Sequence, residues 1–231
     1  MHAFKWIAFD ADDTLFHYQS YAGLCRVLAR YGVAWNETLH RHFQAANASL
    51  WLALQNGAIS MTELAQRRFA SLAVQTGQSA LTLNHELQLE MIHISQAVAG
   101  VPQLLKNLKN KGMGIAMITN GFSVLQRPRL QAQGLLQYID VLVVSEEVGY
   151  AKPDARIFEW ALAQMGNPLP AYVLMVGDSL ISDIQGAKQV GMKTCWFAAS
   201  SSRKHEIESV QADFVVRDWF EFAAKMGLAL T

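Results

Sequence analysis

Hydrophobic residues fall along this chain in two rhythms. Six short runs are almost continuously apolar, at residues 5–9, 113–119, 140–145, 172–177, 194–198 and 214–216. None shows polar alternation, so they predict strands covered on both faces, as in a parallel sheet. Between the later runs the apolar spacing turns helical. Val101, Leu104, Leu105 and Leu108 end at Gly112; Ile157, Phe158, Ala161 and Leu162 end at Gly166; Ile184, Ala187 and Val190 end at Gly191. A glycine just past the last turn supplies the left-handed cap that stops a helix. Alternating strands and helices predict a doubly wound, Rossmann-like α/β sheet.

The stretch after the first run breaks that rhythm. Roughly eighty residues separate Thr14 from the next helix–strand unit, far more than an ordinary crossover needs. They are patterned all the same. Leu24, Val27, Leu28 and Tyr31 share one helix face, and Leu39, Phe43, Leu50, Trp51 and Leu54 share another. Ser60 and Glu63 form a capping box ahead of Leu64, Phe69 and Leu72. Leu83, Leu87, Met91 and Ile94 predict a further helix. Residues 16–97 therefore read as an all-helical insertion that packs on itself. Residues 1–15 and 98–231 make up the α/β unit.

Composition narrows the class. Of 231 residues, 52% are hydrophobic and 16% charged, which excludes disorder and allows a sizeable core. Nineteen basic residues balance nineteen acidic ones. That argues against a nucleic-acid partner and against a basic membrane-surface helix. No apolar run is long enough to cross a bilayer, and Asp10, Asp12 and Asp13 interrupt the first one at once, unlike a signal peptide. Cys25 and Cys195 lie far apart and read as two thiols in a reducing, cytoplasmic setting.

Candidate chemistry sits at strand ends. The first strand runs into Asp10-Ala11-Asp12-Asp13-Thr14. Carboxylates there are costly without a cation, and open α/β sheets bind ligands at that end. A helix cap or a solvated turn accounts for any one of these acids alone. A calcium loop of EF-hand type does not fit, because Leu15 and Tyr21 fall at its glycine and closing acidic positions. A second strand ends in Gly177-Asp178, with Asp183 five residues on. Capping explains one of the pair but not two strand ends that both present carboxylates. If the strands are neighbours, Asp10, Asp12 and Asp178 converge, and hard oxygen ligands of that kind suit Mg²⁺. Thr119-Asn120-Gly121 at another strand end offers a hydroxyl and turn amides for phosphate oxygens. Lys152, before Pro153, supplies an ammonium at the same edge.

Other motifs fail on context. Residues 186–194 approach a P-loop, but with one residue too many and the reverse strand–helix order. Gly112 and Gly114 lack the third glycine of a dinucleotide fingerprint. His40 and His42 do not share a helix face for zinc.

Taken in order, Asp-x-Asp-x-Thr, Thr-Asn, Lys-Pro and Gly-Asp with a second Asp resemble the haloacid dehalogenase (HAD) superfamily, over roughly residues 5–197. The helical insertion resembles its C1-type cap. FDADDTLF, QNGAIS, ITNGFS, SEEVG and LMVGD are most similar to the bacterial pyrimidine 5′-nucleotidase subgroup. Most family members carry glycine where Asp13 stands, and that subgroup resembles this chain there.

The resemblance implies a mechanism. Asp10 is the nucleophile that forms an aspartyl-phosphate, and Asp12 the general acid and then base. The Asp10 carboxylate, the Asp12 carbonyl and Asp178 hold Mg²⁺, with Asp183 behind them or bound through water. Thr119, the Asn120 amide and Lys152 hold the phosphoryl oxygens. The implied substrate is a small phosphomonoester, a nucleoside monophosphate before a sugar phosphate or phosphoglycolate. A phosphoacceptor signalling module uses similar residues, but on a shorter domain without a large cap. An inactive binding protein fits poorly, since every catalytic position is filled. A dehalogenase fits poorly because the acid at Asp12 serves phosphoester cleavage.

Overall fold

The structure, a computed structural model, describes residues 4–199 and 211–230. In chain order the elements are β1 (Trp6–Phe9), β2 (Phe16–His17), α1 (Ser20–Ala29), α2 (Glu37–Gln55), α3 (Met61–Thr76), α4 (Ala80–Ile94), β3 (Gln96–Ala97), α5 (Val101–Asn110), β4 (Gly114–Thr119) and α6 (Ser123–Ala132). Then follow β5 (Val141–Val144), α7 (Ser145–Val148), α8 (Ala155–Gln164), β6 (Val173–Gly177), α9 (Gly186–Gln189), β7 (Lys193–Phe197), β8 (Phe214–Val216) and α10 (Trp219–Lys225). They divide into two compact units. One holds the described residues up to His17, those of Gln96–Gly121 and those from Gln133 onward. The other holds Tyr18–Ser95 and Phe122–Ala132.

The first unit is the doubly wound sheet that the apolar runs predict. Its six strands are all parallel, in the order β5-β4-β1-β6-β7-β8. Ile7, Ala8, Phe9, Ile115–Ile118 and Val173–Val176 are buried, which is why these strands carry no polar alternation. Gly112, Gly166 and Gly191 all take positive φ, as the cap reading requires. The third helical pattern is only partly helical. It opens as a wide π-type turn over Leu180–Gln185, and α9 is a single turn. β2 and β3, two residues each, pair antiparallel. Nothing in the hydrophobic pattern marks so short a ladder.

The second unit is the helical insertion. Leu24, Val27, Leu28, Phe69, Leu72, Leu83, Leu87, Met91 and Ile94 form its main core. The Ser60–Glu63 capping box starts α3. α2 departs from expectation: Leu39 is exposed, and Phe43, Leu50, Trp51 and Leu54 are only partly covered. The sequence reading also put all of residues 98–231 in the α/β unit. In the structure α6 packs on α4, because Leu125 is buried in the helical core. No described helix is long and apolar enough to cross a membrane.

Candidate active site

β1 lies between β4 and β6, with Phe9 level with Met117 and Val176. The Asp10 amide continues the ladder by donating to the Val176 carbonyl at 2.9 Å. Asp10, Thr119 and Asp178 therefore leave three adjacent strands at one edge. This is the crevice at the carboxyl ends of an open α/β sheet.

After β1 the chain makes one tight turn. The Leu15 and Phe16 amides both donate to the Ala11 carbonyl at 2.9 Å, and the Asp13 amide donates to Phe16 at 2.7 Å. Asp13 takes φ 56°. Glycine adopts that conformation freely and aspartate tolerates it.

Lys152 ties the strand ends together. It is 1% exposed, and its ammonium donates to Asp10 Oδ1 at 2.6 Å, Asp183 Oδ1 at 2.6 Å and the Ile118 carbonyl at 2.8 Å. An ammonium has three donors, and these three acceptors use them all. Asn120 fixes the lysine's backbone: its Nδ2 donates to the Lys152 carbonyl at 2.9 Å, and its Oδ1 accepts from the Lys152 amide at 2.7 Å. Burial drives the Asp10 carboxyl up to about 7 against the pull of Lys152, and Asp183 adds to the rise. Burial would lower the Lys152 ammonium, but Asp10 and Asp183 outweigh it and hold it above its ordinary range.

One carboxylate oxygen each from Asp10, Asp178 and Asp183 lie within 4.8 Å of one another. The side chain of Asp12, half-buried beside them in sequence, is not part of that cluster. Asp183 is held from both sides, since its Oδ2 accepts from the Ser179 amide at 3.0 Å. The Asp178 carbonyl accepts from Trp196 Nε1 at 2.8 Å. Three hard oxygen donors with one ammonium leave excess negative charge, a donor set that fits Mg²⁺. A cavity of about 310 Å³ adjoins them, lined by Asp13, His17, Asp178 and Trp196 among others.

Asp10, Asn120, Lys152, Asp178 and Asp183 stand at this edge, with Thr119 buried at the end of β4. The turn after β6 is capped by Ser179, which accepts from the Ser182 amide at 3.2 Å. Sequence reasoning also missed Ser145, buried at the end of β5, whose Oγ accepts from the Gly121 amide at 3.0 Å. It stands at a strand end and opens the SEEVG stretch.

An open parallel sheet with carboxylates and a buried ammonium at one strand edge defines a hydrolase of the phosphoryl-transfer type. Residues 4–191 match the haloacid dehalogenase-like hydrolases, and the chain belongs to that family. It is 43% identical to pyrimidine 5′-nucleotidase YjjG of Escherichia coli over 87% of this chain and 89% of that protein. It is 30% identical to pyrimidine 5′-nucleotidase PynA of Streptococcus pneumoniae over 87% of each chain. Its fold matches the magnesium-bound crystal structure of the HAD-hydrolase YfnB of Bacillus subtilis. That match has a TM-score of 0.86 and 23% identity, and it covers 97% of this chain and 99% of that one.

Proposed function

We propose that this protein is an Mg²⁺-dependent phosphomonoesterase that hydrolyses nucleoside 5′-monophosphates, pyrimidine nucleotides foremost, through a phosphorylated Asp10. The observation that carries the reading is the Asp10 carboxylate held 2.6 Å from the buried Lys152 ammonium, beside Asp178 and Asp183. The pyrimidine 5′-nucleotidases among its relatives support the substrate class.

An oxygen of Asp10 attacks phosphorus, and the bond to the leaving alcohol oxygen breaks. Asp12 gives that oxygen its proton. A water then attacks the phosphorus of the aspartyl-phosphate, giving a proton to Asp12. Inorganic phosphate leaves and the Asp10 carboxylate is restored. Lys152 acts by its charge, since its donors are already engaged. Thr119 and the Asn120 backbone amide bind phosphoryl oxygens, because the Asn120 side chain is committed to Lys152. Asp10, Asp178 and the Asp12 carbonyl would hold Mg²⁺, with Asp183 beside them, and the ion would supply charge neutralisation at the phosphoryl group. Two free cysteines, Cys25 and Cys195, support a cytoplasmic setting.

A plate of phosphomonoesters at fixed pH tests this. Uridine, deoxyuridine and thymidine 5′-monophosphates are expected to show higher kcat/KM than hexose phosphates or phosphoglycolate. Chelation should abolish turnover and Mg²⁺ restore it. Preference for a sugar phosphate would reject the nucleotidase reading, and full activity under chelation would reject the metal.

A further inference from the structure

The described residues around the cavity beside the carboxylate cluster all belong to the α/β unit. It measures about 310 Å³, a size that takes a small organic group, and Asp13, His17 and Asp178 give it two acids and an imidazole. Much of the remaining wall is apolar: Val98, Trp196 and Phe197. Trp196 Nε1 is already spent on the Asp178 carbonyl, and the Asp178 side chain belongs to the cluster with Asp10 and Asp183. Asp13 and His17 are the polar side chains of this cavity that no catalytic step uses.

Backbone structure aims both of them. Asp13 stands at the positive-φ position of the turn after β1, and its amide donates to the Phe16 carbonyl. His17 is the second residue of β2. Phe16, the first, is fully buried, so alternation along the strand turns His17 to the opposite, exposed side. Pairing of His17 with Gln96 holds that frame, as does the Val98 amide, which donates to the Leu15 carbonyl at 2.9 Å. The two-residue ladder thus has a use: with the turn before it, it presents a carboxylate and an imidazole to one cavity.

The chemistry of the cavity selects what enters it. Asp178 forms part of its wall, and the Asp178 carboxylate lies within 4.8 Å of that of Asp10. The part of a substrate that reaches the cavity is therefore the part next to the transferring phosphorus. An ionised carboxylate only accepts hydrogen bonds. Asp13 thus repels phosphoryl oxygens and the carbonyls of a base, and favours a hydroxyl that donates. In a nucleoside 5′-monophosphate the group next to the phosphate is the pentose, which carries such hydroxyls. We propose that Asp13 and His17 form a sugar subsite, in which they hydrogen-bond the hydroxyls of the leaving group's pentose. This rests on the nucleotidase reading.

The test is the preference for uridine 5′-monophosphate over its 2′,3′-dideoxy analogue, which lacks both sugar hydroxyls, measured as a ratio of kcat/KM. Wild type is expected to favour the hydroxylated substrate by about tenfold or more, as for a hydrogen bond to a charged group. Asp13→Gly keeps the turn, because glycine accepts its φ, and should lower that preference by about tenfold, mostly through KM. His17→Ala should lower it by about two- to tenfold, as for a neutral hydrogen bond. Asp13→Asn also tolerates the φ and keeps an acceptor oxygen, so it should recover part of the loss. A wild type indifferent to the hydroxyls, or variants that keep its preference, would overturn the proposal. Equal losses on both substrates would overturn it too, since they mark damage to the carboxylate cluster. Wild-type protein that cleaves phenyl phosphate but neither nucleotide rejects the nucleotidase reading separately. Asp13 and His17 are then judged by the same ratio for ribose 5-phosphate against phenyl phosphate.

Discussion

A Cβ on Gly177 would stand 2.2 Å from Oδ2 of Asp183. The last residue of β6 is glycine because the acid of the following turn occupies its side-chain space. The other oxygen of that acid binds Lys152, which binds Asp10. Gly177, Asp183, Lys152 and Asp10 are one assembly, and its geometry begins at a missing methyl group.

Gly177→Ala tests that assembly. The added carbon must push Asp183 aside, an overpacking cost of about 1–3 kcal/mol. We expect a lower melting temperature and a fall in kcat of about tenfold or more, because the lysine loses its second anchor. A variant with wild-type kcat and stability would show that the close approach is not what requires glycine.

Lys152→Met removes the only cation bonded to Asp10 and Asp183 among the described residues. Breaking a buried ion pair by deleting one partner costs about 3–5 kcal/mol. Urea unfolding in chelator should show a loss of that order, and Mg²⁺ should narrow it by neutralising the same carboxylates. Unchanged stability in chelator would mean that the ammonium offsets no buried charge.

The two leading carboxylates separate by substitution. Asp10→Asn should abolish turnover together with the acid-labile phosphoenzyme. Asp12→Asn keeps the nucleophile and should slow turnover by at least ~10²-fold, the lower range of general acid–base catalysis. Mass spectrometry of the trapped phosphopeptide checks the assignment: phosphate on a peptide lacking Asp10 would contradict it.

Acid stability should depend on Asp213. Burial raises this carboxyl, but Lys193 and the Thr194 amide and hydroxyl more than offset it, at 2.7, 2.9 and 2.9 Å, so it lies below its ordinary range. A depressed folded-state value means stability that is present above the ordinary carboxylate pKa. It is lost as pH falls through the depressed value. Asp213→Asn should lower the melting temperature by a few degrees at neutral pH and flatten its decline in acid. A variant that keeps the wild-type acid slope would assign that slope to other carboxylates.

The sequence by itself determined which segments are strands, where helices stop and which polar residues stand at strand ends. Those are local matters: a parallel strand buried on both faces must be apolar throughout, as at Val173–Val176, and a helix stop such as Gly166 needs a residue that accepts positive φ. The candidate site residues were legible because two strand ends both present carboxylates, which capping explains at one but not at both. Tertiary structure alone decided what each one touches. In sequence Asn120 offers an amide to phosphate oxygens; only the fold shows its side chain spent on Lys152, thirty-two positions away. Gly177 marks a strand end in sequence, and only the fold shows that the side chain of Asp183 excludes a Cβ there. α6 lies in sequence between strands of the sheet but buries Leu125 in the helical core. A hydrophobic pattern records which side of an element is covered. It does not record by what, because the partner is supplied by distant chain and chosen by shape and charge.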